Sequence, residues 1–411
     1  MTISPQRIPV KKNRILALGI HFILKAIFMI VRPFNFKIFP KAGKLQPNKI
    51  KRLLIIRTDG LGDLVMSTPA FRALRKCFPR SCVTLLAASY SKELVETIPV
   101  FDEVSYFDSP WIVKEKKNKI RSLYKDIKKI RRNKYDLAID LRGDFRNNIL
   151  MYFCGITYRM GFNITGCEYL LTDIIPVGKN HHAVNTGLSL IKYLNIQDKE
   201  GEMLSLWITK EDREFSDNFF AEKGIDDKKL IVLIHPGAKW NGRRWEAKGY
   251  GQVADRLIKE YKAIIILAEA PGEPKLTQQI SDVMTEKAII AGKTSIRKLC
   301  ALIERSDLFI GPDSGPIHMA SAMGTRVIAL MGPARREAVG PYGDGNIVVT
   351  KQDEFACSPC AQTICKRPEY SCMKAITAED VWRAVTIQIG DILSKEGVVR
   401  EKRKRLHPGE D

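Results

Sequence analysis

Short apolar runs alternate with longer mixed segments along most of the 411-residue chain. RLLIIR (52–57), VTLLAA (83–88), VSYF (104–107) and LAIDL (137–141) read as strands, and the first two, apolar without alternation, as buried parallel ones. Between them, segments 64–77 and 91–98 predict helices. KEKKNKIRSLYKDIKKIRRNK (114–134) predicts another, with Ile120, Leu123, Ile127 and Ile130 inward at helical spacing and eleven basic residues mostly outward. That basic face reads as a solvated surface or as a contact with an anionic membrane or acceptor.

The pattern thins through 155–224 and then restarts. LIVLIHPG (230–237), AIIILAE (263–269), KAII (287–290), DLFIGPD (307–313) and RVIALMGP (326–333) read as strands. Segments near 247–261, 273–284, 295–305 and 315–323 predict the helices between them. Two successive βαβ blocks joined near 200–228 predict an α/β fold with two parallel-sheet domains. The organisation expected is a basic, apolar segment at 1–49, a first Rossmann-like domain at 50–205, a second at 225–376, and a closing helix with a basic tail at 377–411. The last helix, near 377–393, is expected to cross back to the first half. Ligands of such sheets gather at the C-terminal strand ends, so the cleft between the halves is the expected active site.

Composition narrows the partners. At 45% hydrophobic residues the chain can bury a large core, which excludes disorder and a staple-dependent miniature fold. A formal charge of +21 implies polyanionic surroundings: nucleic acid, anionic lipid or phosphorylated small molecules. Residues 1–58 hold thirteen Lys or Arg and no Asp or Glu. Within them, 15–31 is apolar except for His21 and Lys25, which with Arg14 and Arg32 form one polar stripe on a helix. Seventeen residues reach about 26 Å, short of the roughly 30 Å hydrocarbon core. An interfacial helix at the anionic inner-membrane surface fits better than a spanning or a buried one, and no small-residue cleavage site marks a signal peptide.

The glycine turn DGLGD (59–63) follows the first strand but matches neither G-x-G-x-x-G nor G-x-x-x-x-G-K-[ST], which argues against a dinucleotide enzyme or an ATPase. Asp63 falls at the start of a helix expected from about Leu64, where it is either a cap or a carboxylate that takes a proton from an acceptor hydroxyl. Asp59 either orients the turn or meets substrate, and Gly60 and Gly62 leave room for the acceptor. DLRGDFR (140–146) puts Arg142 and Arg146 at a second strand end as acceptor contacts, unless Asp140 and Asp144 simply hold them. In the second half, His235 ends a strand and Lys239, Arg243 and Arg244 follow, cations suited to a diphosphate leaving group. Trp240 and Trp245 read as packing residues. In GPDSGP (311–316), Asp313 ends a strand, Ser314 and Gly315 turn, and Pro316 opens a helix whose N–H groups suit phosphate. Asp313 would receive sugar hydroxyls; His318 either contacts the ligand or packs. The chain contains no D-x-D pair, so a metal-held diphosphate has little support.

Nine cysteines in a chain this large do not imply a secreted disulfide framework. Cys357, Cys360, Cys365 and Cys372, spaced by two, four and six residues, can hold zinc or an iron–sulfur cluster as a structural site. Local disulfides, free thiols and redox chemistry are the other readings.

RTDGLGDLVMSTPAFRALRKCFP (57–79), HPGAKWNGRRW (235–245) and GPDSGPIHMASAMGTRVIALMGP (311–333), in this order, resemble the ADP-heptose:lipopolysaccharide heptosyltransferase family over about residues 50–393. The resemblance implies the GT-B fold, with two Rossmann-like domains facing across a cleft. It also implies inverting, metal-independent transfer of a sugar from a nucleotide-diphosphate donor to a glycolipid core at the cytoplasmic face of a bacterial inner membrane. On the same basis Asp63 looks like the general base, Asp313, Ser314 and Gly315 like donor contacts, and Arg244 like a phosphate ligand where many relatives have lysine. The long basic segment before residue 50 departs from the compact relatives and leaves donor and acceptor open. The competing class is a basic membrane or nucleic-acid binding protein without transferase activity. That class leaves Asp63 and the GPDSGP turn unexplained, and no nucleic-acid partner is expected.

Overall fold

The computed structural model describes residues 45–108, 119–162, 164–177, 182–196, 203–269, 275–360 and 365–394. The expected interfacial helix, the start of the 114–134 segment and the basic tail lie outside these residues. Among the described residues, no helix is long and apolar enough to cross a membrane.

The chain divides between residues 203 and 204 into two units. The first runs β1 (Arg52–Arg57), α1 (Leu61–Val65), α2 (Thr68–Cys77), β2 (Cys82–Ala87), α3 (Lys92–Val95), β3 (Glu103–Tyr106), α4 (Lys119–Arg132), β4 (Leu137–Asp140), α5 (Phe145–Phe153), β5 (Tyr158–Phe162), β6 (Asp173–Ile175) and α6 (Ala183–Tyr193). Its strands lie in the order β3-β2-β1-β4-β5-β6, all parallel. Chain order reverses direction between β1 and β4, which opens a crevice at their C-terminal ends. Leu53, Leu54, Ile55 and Ile56 of β1 are essentially inaccessible, as a strand covered on both faces requires. Truncating Ile56 to Ala would cost about 2–5 kcal/mol.

The second unit runs α7 (Lys210–Glu222), β7 (Ile231–Ile234), α8 (Ala247–Tyr261), β8 (Ile264–Glu269), α9 (Leu276–Val283), β9 (Ile289–Lys293), α10 (Ile296–Glu304), β10 (Leu308–Pro312), α11 (Gly315–Met323), β11 (Arg326–Met331), α12 (Arg336–Val339), β12 (Ile347–Thr350) and α13 (Ala378–Ser394). The order β12-β11-β10-β7-β8-β9, again parallel, is the first unit's topology over again, with its switch point between β7 and β10. The fold is α/β of the GT-B class, two Rossmann-like sheets in one chain.

Three expectations need correction. The helix expected over 64–77 is two helices, because Pro69 cannot donate inside a helix and instead sits in the first turn of α2. The thin stretch 155–224 holds two strands and two helices. Arg159 interrupts the apolar pattern of β5, yet it is buried with its guanidinium donating to the carbonyls of Leu170, Ile156 and Thr157. Helix α13 belongs to the second unit: Val381, Trp382, Val385 and Ile389 share a core with Val253 and Leu257 of α8 and Ile328 and Leu330 of β11.

Candidate active site

In the first unit the switch point carries seven charged groups from the ends of β1 and β4 and the segments after them: Arg57, Asp59, Asp63, Asp140, Arg142, Asp144 and Arg146. Arg57 is the last residue of β1 and is buried. Its Nη1 donates to the Leu141 carbonyl at the end of β4, its Nε lies 3.0 Å from Asp59 Oδ1, and its Nη2 lies 3.3 Å from Asp63 Oδ1. Two carboxylates and a carbonyl around one guanidinium offset the desolvation of a buried cation. The geometry also holds the Asp63 carboxylate in place while leaving it 41% exposed, the most accessible acid of the group.

Asp63 lies within the first turn of α1, which starts at Leu61 with Gly60 as its cap residue. The capping reading therefore fails, and the helix begins three residues earlier than expected. Gly60 has an ordinary negative φ of −61°, so its reason is space: a Cβ there would meet Asp63 Oδ2 at 3.0 Å. Ser67 Oγ donates to the Asp63 carbonyl and anchors the short helix below it. Gly62 lies within α1 itself.

Asp59 is 13% exposed and takes Arg57 on one oxygen and Arg142 Nε at 3.8 Å on the other. Burial, with the Asp63 charge adding to it, outweighs these cations and pushes its carboxyl up to about 6. Tyr90 donates its hydroxyl to the Asp59 carbonyl. Burial and the two carboxylates push this phenol up to about 12, so it remains a donor at neutral pH.

Asp140, fully buried at the end of β4, accepts from the N–H groups of Arg142 and Asp144 and from Asn147 Nδ2. It shapes the loop, and burial pushes its carboxyl up to about 6. Asp144 caps α5 and takes Arg146 through Nε at 2.8 Å and Nη2 at 2.5 Å, and Arg142 Nε at 3.4 Å. Burial acts to raise Asp144, but the Arg146 hydrogen bonds and the Arg142 charge hold it below the ordinary range. Arg142 and Arg146 are thus braced by Asp144, yet each stays about 30% exposed. Gly143 turns the loop at φ +70°, where a Cβ would meet Ile164 Cδ1 at 2.8 Å.

In the second unit the switch point is cationic. His235 follows β7, its ring buried and its backbone N–H donating to the Ile310 carbonyl of β10. Lys239 extends over the Trp240 ring, with Nζ 5.4 Å from the centroid. Arg244 closes the loop by donating from Nε to the Ala238 carbonyl and from Nη1 to Asn241. Arg243 Nη1 lies 2.9 Å from Asp313 Oδ2, tying the loop after β7 to the end of β10. Asp313 is 4% exposed. Ser314, at the cap position of α11, donates its hydroxyl to the Pro312 carbonyl and accepts no capping bond, so its side chain leaves the Gly315 N–H uncapped, while the Ile317 N–H donates to the Ser314 carbonyl at 3.3 Å. Pro316 occupies the first turn, and His318, 3% exposed, is inside the fold. Trp245 packs on Tyr250 and donates to the Ile376 carbonyl, whereas Trp240 is 37% exposed.

All four clustered cysteines are free thiols. Burial, then the charges of Cys360, Cys365 and Cys357, pushes Cys372 up to about 11, so it is neutral at pH 7. Among the described residues no three His, Cys, Asp or Glu side chains are gathered so as to hold a metal ion. Gly242, next to Arg243 and Arg244, lies beside this cluster: a Cβ built there would come 3.8 Å from the Cys365 N.

Sequence reasoning brought out the strand-end acids and cations but missed Arg57 and Tyr90. The available signal for Arg57 was a charged residue closing a run of buried apolar ones.

The glycosyltransferase family 9 (heptosyltransferase) model matches residues 123–371. A lipooligosaccharide heptosyltransferase 2 from Campylobacter jejuni is 27% identical over 331 residues, which cover 78% of this chain and 94% of that protein. The structure of the family 9 glycosyl transferase from Veillonella parvula superposes with a TM-score of 0.74 at 24% identity, covering 85% of this chain and 99% of that one. The Escherichia coli ADP-heptose lps heptosyltransferase II superposes with a TM-score of 0.66 at 19% identity, covering 84% of this chain and 100% of that one. A bracketed carboxylate after β1, a cationic loop after β7 and an open helix start after β10 thus occur in a chain that belongs to glycosyltransferase family 9.

Proposed function

We propose that the protein is an inverting heptosyltransferase. It moves a sugar, heptose in the first instance, from a nucleotide-diphosphate donor of the ADP-heptose kind to a lipopolysaccharide-core or related glycolipid acceptor. The observation that carries the reading is Asp63: an accessible carboxylate held by a buried arginine, with a glycine clearing the space beside it. Such a group is suited to take a hydroxyl proton as that oxygen attacks the anomeric carbon from the face opposite the diphosphate. Asp59, Arg142 and Arg146 would position the acceptor, the arginines meeting its anionic groups.

In the second unit Lys239, Arg243, Arg244 and the first-turn N–H groups of α11 would stabilise the departing diphosphate, and Asp313, fixed by Arg243, would receive sugar hydroxyls. No metal ion is needed for the transfer step in this reading. The donor is expected because relatives are named for ADP-heptose and for lipopolysaccharide or lipooligosaccharide.

The test is a donor screen. Purified protein is incubated with ADP-heptose, ADP-glucose, UDP-N-acetylglucosamine or GDP-mannose and with glycolipid acceptor, and the product is analysed by mass and by the anomeric coupling in NMR. A heptose-sized mass increase with inverted configuration is expected. Hydrolysis or epimerisation of the donor without transfer, or retention of configuration, would sink the reading.

A further inference from the structure

The helix α4 (Lys119–Arg132) buries one side and leaves the other cationic. Ile130 is 5% exposed, and Leu123 and Ile127 pack beside it on the core formed with Leu54, Ile56 and Ala138. At 100° per residue, Arg121, Lys125, Lys128, Lys129 and Arg132 fall within a sector of roughly 100° directly opposite that apolar stripe. All five are exposed, and none has an ion-pair partner among the described residues. Tyr124, 65% exposed, flanks the ridge, and Asp126 at its edge is the single acid of the helix. The chain leaves α4 into the start of β4, so the helix runs antiparallel to the strands. Its Arg121 end therefore lies toward the C-terminal edge of the sheet that carries Asp63.

We propose that this ridge docks the first unit on an anionic phospholipid surface, presenting the Asp63 edge to a membrane-borne acceptor. The proposal rests on the glycolipid reading for its purpose, but the charge and its placement stand without it. A straight, convex row of cations with a flanking phenol matches a plane of phosphate head groups, where cations bind by charge and a tyrosine sits at the interface. Nucleic acid calls for a groove lined by successive stacking platforms, whereas the helix presents a ridge with Tyr124 as the one aromatic on it. Residues 1–49, with ten Lys or Arg and no acid, precede β1 of the same unit in sequence and favour the same surface.

The experiment is co-sedimentation of the full chain with vesicles of phosphatidylglycerol and phosphatidylethanolamine, against vesicles of phosphatidylcholine, at about 0.1 M salt. Three proteins are compared: wild type; Arg121→Gln, Lys125→Gln, Lys128→Gln, Lys129→Gln and Arg132→Gln combined; and a control with the same loss of charge, Lys210→Gln, Lys223→Gln, Lys228→Gln, Lys229→Gln and Lys259→Gln, on exposed positions of the second unit. Each cation near an anionic leaflet multiplies partitioning several-fold, so the ridge variant is expected to lose at least about tenfold in binding to the anionic vesicles, and the control less than about threefold. Circular dichroism checks that both variants fold.

Equal losses in ridge and control variants, no loss in the ridge variant, no preference of wild type for anionic vesicles, or tighter binding to a single-stranded oligonucleotide than to vesicles would each overturn the proposal. Transfer to a delipidated, water-soluble acceptor is measured in parallel and is expected to be unchanged in the ridge variant. If wild type binds vesicles through the ridge but transfers no sugar, the functional reading fails and the docking surface stands. If it transfers sugar and the ridge variant binds vesicles as wild type does, the docking surface fails and the functional reading stands.

Discussion

The two units share one topology and place opposite chemistry at the same point of it. In both, a parallel sheet ordered 3-2-1-4-5-6 reverses direction between its first and fourth strands, and the polar groups gather at those C-terminal ends. In the first unit a buried arginine is outnumbered by acids, which leaves Asp63 accessible as a proton acceptor. In the second, one buried acid is held by an arginine beside a further arginine, a lysine and an open helix start, which suits anionic phosphate. The scaffold fixes where chemistry can occur, and a few loop residues decide its sign.

The sharpest way to break this comparison is Asp63→Asn, which keeps the shape and removes the proposed base. A positioned general base contributes about 10²–10⁴-fold, so kcat is expected to fall about a thousandfold while the dissociation constant for donor, read by calorimetry, changes little. Near-normal turnover would remove Asp63 from the chemistry. In the second unit the corresponding change is Arg243→Ala, which leaves Asp313 buried without its guanidinium partner beside a site meant for diphosphate. Donor binding is expected to weaken by about 10- to 100-fold, since a hydrogen bond from a cation to a charged group such as phosphate is worth about 1.5–3 kcal/mol. Unchanged donor affinity would mean that the cationic loop does not face phosphate.

These two sites were unequally legible in the sequence. Strand-end motifs such as DGLGD and GPDSGP stand out because each interrupts a continuous apolar run with glycine and acid, a pattern with few structural alternatives. Arg57 was hidden because a charged residue closing an apolar strand reads as a boundary. Its role appears only when β1 pairs with β4 and brings the Leu141 carbonyl, 84 residues away, within hydrogen-bond reach. The same limit explains the missed elements in 155–224. β6 is only three residues long, and β5 holds an arginine whose partners are carbonyls that no local pattern announces. The cap of α7 was readable: Thr209 and Asp212 form a reciprocal capping box at the spacing expected for one.

A smaller effect separates the two acids of the loop after β4. Burial raises Asp140 to about 6, whereas arginines lower Asp144. A carboxyl raised in the folded state binds its proton more readily there than in the unfolded chain. Its contribution to stability is therefore full below about pH 4 and is lost as pH rises through about 6. Asp144 has the opposite sign: its contribution is present above the unfolded value and is lost as pH falls. The stability of wild type relative to Asp140→Asn, measured by urea unfolding, should decrease between about pH 4 and pH 6, and relative to Asp144→Asn it should increase as pH rises from about 3 to 5. Parallel curves for the two variants would show that burial and arginine pairing do not set these acids apart.

The smallest expected change is a test of how the second unit supplies its positive charge. Guanidinium groups, a lysine and backbone N–H groups at a helix start are permanent donors, fixed in place before the diphosphate departs. Because the chain also has no D-x-D pair to hold a divalent ion on the diphosphate, chelation should leave the reaction running. After dialysis against EDTA, transfer is expected to stay within about twofold of the untreated enzyme, since fixed cations cost no reorganisation at the moment of reaction. A loss of tenfold or more that magnesium or manganese restores would mean that Arg243, Arg244 and Lys239 do not carry the departing charge unaided. The contrast would then shift from acid against cation to acid against metal, with Asp313 the first residue to re-examine, because its carboxylate is the one that pairs with the cationic loop among the described residues.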